Sequence, residues 1–309
     1  MYRFPAATAG ARPPWRGTLA ALLAFAVPAV LVAAGPLPAL TRLDEAVSAA
    51  VRAAPPPALD TLAFAVTLLG DFALTVSLMT ALVLMLLGAG RWALALHAAW
   101  LFFLTKLAVA GTKIALARPR PLALYEGGDS YAFPSGHATS GAVLLGVVCA
   151  LFLARYRRAG AGCRVPGTAR DVGTVRPETV PCADTGGAGR ADRFDHRFSG
   201  VGIVAAFALP AVLIALSRVR LGAHWPSDVA AGLALGTALV LPFVWHARRS
   251  LAATSAPSVT PAALVRPEAL PWLALVLLVT GYLLYATVAW PSESARYGTG
   301  ARAAEVRAP

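Results

Sequence analysis

The chain has 309 residues, of which 58% are hydrophobic and only 14% charged, and its net charge is +12. This composition is too apolar for an ordinary soluble domain. The basic residues lie between long apolar runs, so membrane topology explains them better than nucleic-acid binding, and no nucleic-acid partner is expected. Residues 72–90 and 199–217 contain no charged side chain. Each run is long enough to cross about 30 Å of hydrocarbon as a helix, which predicts an all-α integral-membrane bundle.

The N-terminal part begins with a polar, basic segment at residues 1–17, followed by a first apolar run at 18–34. This run resembles a signal sequence, but it is long for one, which favours an uncleaved membrane anchor. Residues 35–71 hold short amphipathic pieces that are broken by Pro55-Pro56-Pro57. We interpret them as re-entrant or interfacial helices.

Further membrane-spanning helices are predicted at about 72–90, 92–112, 137–154, 199–217, 227–246 and 270–290. The last helix is flanked by Trp272 and Trp290, as expected at the two interfaces of a membrane. We divide the chain into a cytoplasmic N-terminal segment at 1–17, a transmembrane domain at 18–246, and an extra helix with a tail at 247–309.

The distribution of basic residues predicts the orientation in the membrane. Segment 155–198 carries nine arginines against five acidic residues, and arginine-rich loops stay in the cytoplasm. The segment is rich in glycine and proline and poor in bulky apolar residues, so we predict a disordered cytoplasmic insertion. The chain is then a multi-pass protein of the plasma membrane with its N-terminus inside.

Three polar pieces lie at predicted helix ends on the outer side of the membrane. They are Lys113-Ile-Ala-Leu-Ala-Arg118-Pro119-Arg120-Pro121, Pro134-Ser135-Gly136-His137, and Ser217-Arg218 continuing through His224 to Asp228. Helix ends on one side of a bundle can converge, and such a cluster of charges beside a bilayer is functional by default. Several arginines and a lysine together are suited to holding a phosphate-like anion.

The second and third pieces indicate catalytic chemistry. Ser135 and Gly136 lie at a helix start, where backbone N–H groups and a hydroxyl can approach an anion closely. His224 and Asp228 are four residues apart, so the aspartate can orient one imidazole nitrogen and leave the other to attack. His137 can then protonate the leaving oxygen.

Together these pieces resemble the signature of the PAP2 (type 2 phosphatidic acid phosphatase) superfamily, which reads K-x6-RP, PSGH and SR-x5-H-x3-D. The resemblance covers about residues 40–246, including a six-helix core, and it leaves the seventh helix without an assigned role. One departure from the family is the 79 residues between His137 and Ser217, a stretch that is longer than usual. The excess coincides with the insertion at 155–198.

The resemblance implies a role for each motif residue. The residues that would bind the phosphate are Lys113, Arg120, Ser135, Gly136 and Arg218. His224 would be the nucleophile, Asp228 its partner and His137 the general acid, and no metal or other cofactor would be required. The implied activity is hydrolysis of a lipid phosphate monoester or pyrophosphate through a phosphohistidine, with the site on the extracytoplasmic face.

Several alternatives stay open at this point. The substrate can be undecaprenyl pyrophosphate, phosphatidic acid or phosphatidylglycerol phosphate, and the bacterial-type composition, rich in alanine and arginine, favours the first. A phosphotransferase would use the same residues, while the several spans argue against a vanadium-dependent haloperoxidase. A non-catalytic lipid-binding or transport protein is disfavoured because every motif residue is present. The sequence does not indicate an oligomeric state.

Four charged residues near the motifs have no motif position. Arg118 can be either a membrane anchor or an anion ligand, and Lys106 is better explained as an interface or polar-packing lysine. Asp71 follows Gly70 at a predicted helix start and fits a helix cap. Arg220 can line an entrance or be solvated.

Overall fold

The computed structural model of the chain describes residues 14–35, 37–53, 58–121, 131–161, 200–252 and 269–305. Within these ranges it contains helices and a single isolated β-bridge, which confirms the predicted all-α bundle. The helices are α1 (Trp15–Ala33), α2 (Pro38–Ala53), α3 (Ala58–Thr67), a 3-10 turn (Leu68–Gly70), α4 (Phe72–Gly88), α5 (Trp92–Leu116), α6 (Gly136–Ala161), α7 (Gly200–Arg220), α8 (Pro226–Ala252) and α9 (Leu270–Glu305).

The membrane-spanning helices follow the predicted apolar runs. In the described part of the chain, six helices are long and apolar enough to cross a membrane, namely α1, α5, α6, α7, α8 and α9. The run at 72–90 forms α4, which has 17 residues. Residues 59–70 meet α4 at a bend of 44°, and the two pieces together are long enough for a seventh, broken span.

The end of α7 extends beyond the predicted span. The apolar run ends at Ser217, but the helix continues to Arg220. The extension is stable because its arginines point into the protein: Arg218 is 1% exposed, and Arg220 donates to Asp60 Oδ1 at 2.6 Å. A polar helix end is therefore accommodated by neighbouring helices instead of by water.

Helix α6 lies at the centre of the bundle. Residues that are buried inside the protein make up 83% of its span, against 6% for α1 and 11% for α9, so the latter two face the lipid. Its closest neighbour is α8, and small residues let the two backbones approach. A Cβ atom on Gly232 would lie 2.8 Å from the carbonyl oxygen of Ser135, which shows how tightly the start of α6 packs on the second turn of α8.

The amphipathic helix α2 has its polar side turned toward the protein. Asp44 and Ser48 are buried, while Leu43 and Val47 are exposed. Because α2 packs against α7 and α8, its apolar side is left for the lipid interface. This arrangement agrees with the interfacial helix predicted there, and it places a carboxylate next to the helix ends that carry the motifs.

The motif-bearing helix ends meet at one end of the bundle. Backbone hydrogen bonds join the segments between them: Ala132 N donates to Arg118 O at 2.7 Å, and Ser135 N donates to Asp228 O at 3.1 Å. Most of the predicted insertion at 155–198 lies outside the described residues, as do 1–13, 253–268 and the end of the tail. The three-part division of the chain and the disorder of the insertion stay predictions.

Candidate active site

A cavity of about 420 Å³ opens where these helix ends converge. Six of the eight predicted site residues contribute to its wall: Lys113, Arg120, Gly136, His137, Arg218 and His224. The other two, Ser135 and Asp228, are fully buried behind the wall. Three pieces of sequence that are up to 115 positions apart therefore surround one space, as the convergence of helix ends predicted.

Each of the three motif cations donates a hydrogen bond to a neutral oxygen atom. Arg218 Nη1 donates to Thr67 Oγ1 at 2.9 Å, and Arg120 Nη1 donates to Ala223 O at 2.7 Å. Lys113 donates to the backbone carbonyl of Tyr131. Neutral acceptors orient a cation without cancelling its charge, and arginine and lysine side chains are the groups that bind phosphoryl oxygens.

His224 lies in the cavity wall with one ring nitrogen beside Arg120. Its Nε2 lies 3.1 Å from Arg120 Nη1, and because a guanidinium can only donate, this nitrogen carries the lone pair and the ring proton is on Nδ1. Burial, with Arg120, Arg218 and Lys113 nearby, lowers the pKa of His224 well below its ordinary value. This shift favours the neutral imidazole, which is the form that can attack phosphorus.

Asp228 lies on the other side of the His224 ring. Its Oδ2 is 3.6 Å from His224 Nδ1, which is longer than a hydrogen bond. The same oxygen accepts a hydrogen bond from Trp225 N at 2.8 Å, and Oδ1 accepts one from Arg118 Nη1 at 2.6 Å. The carboxylate is thus held beside the imidazole by groups other than the imidazole itself.

Arg118 connects this carboxylate to helix α2. Besides Asp228, its guanidinium contacts Asp44 Oδ2 at 2.7 Å and Ser227 Oγ at 2.7 Å. Asp44 also accepts hydrogen bonds from Ser227 N at 2.9 Å and Ser227 Oγ at 2.6 Å. Arg118 is therefore neither a membrane anchor nor part of the cavity wall but the centre of a buried ionic cluster behind Asp228.

His137 is positioned by the 3-10 turn and by α4. Its Nε2 lies 4.0 Å from Asp71 Oδ2. Asp71 Oδ1 accepts hydrogen bonds from Ala73 N at 2.8 Å, which confirms the predicted helix cap, and from Tyr285 Oη at 2.6 Å. Gly70 packs directly on His137, since a Cβ atom there would lie 2.9 Å from His137 Cβ.

Two motif residues at the start of α6 differ in exposure to the cavity. Ser135 Oγ lies 3.5 Å from Ala138 N, a long contact at the position of a helix cap, and it does not reach the cavity. Gly136 contributes to the wall, and a Cβ atom there would meet Val109 Cγ1 at 3.6 Å, an ordinary contact. The backbone at Gly136 therefore has no crowding partner in the protein, and its open side is available to a ligand.

Sequence reasoning missed Lys106 and the partners of Arg118. Lys106, interpreted above as an interface or packing lysine, lies in the cavity wall and donates to Ser140 Oγ at 2.8 Å. The signal that could have found it is its charge in the middle of a membrane span, which is costly without a function. Arg220, by contrast, is bonded to α2 and α3 and does not line the cavity.

Comparisons with known proteins agree with this geometry. The sequence model of the PAP2 superfamily matches residues 94–251, just over half of the chain and including all three motifs. The chain belongs to the PAP2 superfamily. The PAP2 fold is also shown by similarity to the crystal structure of a transmembrane PAP2 type phosphatidylglycerolphosphate phosphatase from Bacillus subtilis. That structure is 22% identical, and the match covers 75% of this chain and 96% of the other, with a TM-score of 0.53. No curated protein sequence matches the chain.

Proposed function

We propose that this PAP2 protein is a membrane lipid phosphatase that hydrolyses a phosphate monoester or pyrophosphate through a phosphohistidine on His224. One observation supports the proposal above the others. A buried, neutral imidazole presents its unprotonated Nε2 beside Arg120, in a cavity whose wall also contains Lys113 and Arg218. A neutral nucleophile surrounded by cations is suited to attack on an anionic phosphoryl group.

In the first step His224 Nε2 forms a bond to phosphorus while the bond from phosphorus to the leaving oxygen breaks. Lys113, Arg120 and Arg218 stabilise the charge on the phosphoryl oxygens. The Nδ1 proton stays on the ring, and the positive charge that develops there is stabilised by Asp228. His137 donates its proton to the leaving oxygen, which departs as the dephosphorylated lipid or the lipid monophosphate.

In the second step water attacks the phosphohistidine. His137, now neutral, accepts a proton from this water while a bond forms between its oxygen and phosphorus. The bond from phosphorus to Nε2 breaks, inorganic phosphate leaves, and both histidines return to their starting protonation states. Asp71 carries a carboxylate oxygen 4.0 Å from His137 Nε2, on the side of the ring from which it can help to orient the imidazole.

The position of the site in the membrane supports a lipid substrate. The cavity lies at one end of a bundle of spans, next to the interfacial helix α2. The positive-inside rule, applied to the arginines of 155–198, supports an extracytoplasmic position for this end in the plasma membrane. Phosphatidylglycerol phosphate, phosphatidic acid and undecaprenyl pyrophosphate all have the required phosphoryl group, and the Bacillus subtilis protein is named for the first of them.

The test is phosphate release from these three lipids by detergent-purified protein in EDTA. The wild type is compared with His224→Ala and with His246→Ala, a matched control because His246 lies toward the opposite end of α8. We expect release by the wild type and the control but not by His224→Ala. Absence of release from every lipid by the wild type would contradict hydrolysis, and loss of release in EDTA alone would contradict the metal-free mechanism.

A further inference from the structure

The cavity continues past the PAP2 motif residues along α5. Lys106 lies in its wall with Asp71, Phe72 and Ser140, none of which belongs to a motif. Lys106 and Lys113 are seven residues apart, which is two helical turns, so they share a face of α5 and are separated by about 10 Å along its axis. The motif cations thus surround one part of the cavity, and Lys106 lies in a second part deeper in the membrane.

The ammonium of Lys106 contacts hydroxyls and aromatic rings in this second part, and it also interacts electrostatically with the Asp71 carboxylate. Its Nζ donates to Ser140 Oγ at 2.8 Å and to Thr75 Oγ1 at 3.3 Å. It also lies 4.8 Å from the ring centre of Phe72 and 4.7 Å from that of Phe102. Hydroxyls and aromatic faces stabilise a cation without neutralising it, and a lysine ammonium has a third N–H that can donate to an oxygen atom in the cavity.

This part of the cavity is on the side of the leaving group. Ser140 follows His137 by three residues, so the two side chains lie one above the other on the same face of α6. His137 is the proposed acid for the leaving oxygen, and Lys106 Nζ contacts the next turn beyond it. A group attached to the leaving oxygen would therefore lie close to Lys106.

Charge and size are consistent with a second anionic group. Among the described residues, Asp71 contributes one carboxylate to the cavity wall, and four cationic side chains line it, namely Lys106, Lys113, Arg120 and Arg218. A single phosphomonoester dianion neutralises two of them. The volume of about 420 Å³ is also several times that of one phosphoryl group.

We propose that Lys106, with the hydroxyls of Ser140 and Thr75, forms a subsite for the second phosphate of a lipid that carries two phosphate groups. The proposal rests on the proposed function, because it assigns the first phosphate to the site around His224. The second phosphate can be the inner phosphate of a lipid pyrophosphate, or a phosphodiester separated from the reacting phosphate by a short linker. In both cases Lys106 stabilises the charge of the departing product.

The test uses two pairs of substrates that differ in the second phosphate. Farnesyl pyrophosphate is compared with farnesyl phosphate, and phosphatidylglycerol phosphate with phosphatidic acid. Lys106→Met is expected to lower kcat/KM for the two-phosphate member of the preferred pair by about 10- to 100-fold, the loss of one charge-assisted hydrogen bond. The one-phosphate member should change little, and it reports on folding. Lys106→Arg should retain most of the selectivity.

The outcomes separate the subsite from the proposed function. An effect confined to the farnesyl pair identifies a pyrophosphate substrate, and one confined to the glycerophospholipid pair identifies a linked diester. If Lys106→Met lowers kcat/KM equally for the two members of each pair, or lowers it for neither, the subsite is overturned. The phosphatase function still stands in that case, provided that the wild type is active. Binding of inorganic pyrophosphate and orthophosphate to His224→Ala, with and without Lys106→Met, gives a second readout without turnover. The subsite requires tighter binding of pyrophosphate that depends on Lys106.

Discussion

At the scale of single residues, the orientation of His224, the proposed nucleophile, depends on contacts that begin at Asp44 and pass through Arg118 and Asp228. Each contact up to Asp228 is a short, charge-assisted hydrogen bond, whereas the last separation is 3.6 Å. The carboxylate of Asp228 is 0% exposed and that of Asp44 only 3%. Removing the guanidinium would leave two buried carboxylates unpaired, a cost of about 3–5 kcal/mol for one such pair.

We predict that Arg118→Lys lowers kcat by roughly 10- to 100-fold and leaves KM nearly unchanged. A lysine retains the charge but cannot make the forked contacts, so Asp228 moves relative to His224 while the anion-binding wall is unaffected. Arg220→Lys is the matched control, because Arg220 also ties helices together but away from the cavity. Equal kinetic effects of the two substitutions, or a rise in KM alone, would show that Arg118 has no positioning role.

A second prediction concerns His137 as the general acid. His137→Ala should lower turnover of an alkyl lipid phosphate by about 10²- to 10⁴-fold. Turnover of p-nitrophenyl phosphate should fall far less, because its leaving group departs without a proton. Equal losses for the two substrates would indicate that His137 only binds the phosphate. His224→Ala should abolish turnover of both substrates.

The motif residues could be identified from the sequence because their spacing is local, but their supporting partners could not. Arg118 is joined to Asp44 across 74 positions and Lys106 to Ser140 across 34. The two residues of each pair belong to different parts of the bundle, so no helical period in the sequence relates them. In each case only the cost of a charge near the bilayer indicated that a partner must exist.

At the scale of helices, the extra helix α9 reaches the site although it lies outside the region matched to the PAP2 superfamily. Tyr285 Oη donates to Asp71 at 2.6 Å, and Tyr282 Oη donates to the carbonyl of Ala65 at 2.9 Å. Helix α9 therefore stabilises the position of α4 and of the segment that precedes it. This segment contains the residues that lie next to His137. The apolar run predicted the existence of this helix but not its neighbours.

The 3-10 turn before α4 provides a prediction at this scale. Gly70→Ala should reduce activity strongly and destabilise the protein by about 1–3 kcal/mol, because the new Cβ would overlap His137 and Ile214. Gly88→Ala is the matched control, since nothing lies within 4 Å of a Cβ at that helical position. Turnover and thermal unfolding in detergent measure both effects. Unchanged turnover in Gly70→Ala would contradict the close contact between the turn and His137.

At the scale of the whole molecule, composition was sufficient to predict a membrane bundle but not the arrangement of its helices. Helices α1 and α6 have the same mean hydropathy, 1.9, yet one faces the lipid and the other lies at the centre. Lipid and protein interior are equally apolar, so burial in a bundle leaves no hydrophobic periodicity to read. The sequence feature that corresponds to the central position of α6 is instead the pair of glycines in α8, Gly232 and Gly236, which pack directly on it.

The orientation of the molecule leads to a prediction about its thiols. Cys163 and Cys182 belong to the insertion and lie outside the described residues, while Cys149 is buried in α6. A membrane-impermeant thiol reagent should label neither loop cysteine on intact cells and both after permeabilisation. Labelling on intact cells, or a disulfide between the two, would reverse the orientation and place the cavity on the cytoplasmic side.

The central claim is a covalent phosphohistidine on His224, and the most direct measurement is to trap it. Wild type and His224→Ala would be mixed with a substrate that carries ³²P in its terminal phosphate and quenched in alkaline detergent, because phosphohistidine is labile in acid. We predict label on the wild type alone, lost on mild acid treatment and mapped to His224 by mass spectrometry. Label on another residue, or continued turnover by His224→Ala, would contradict the account.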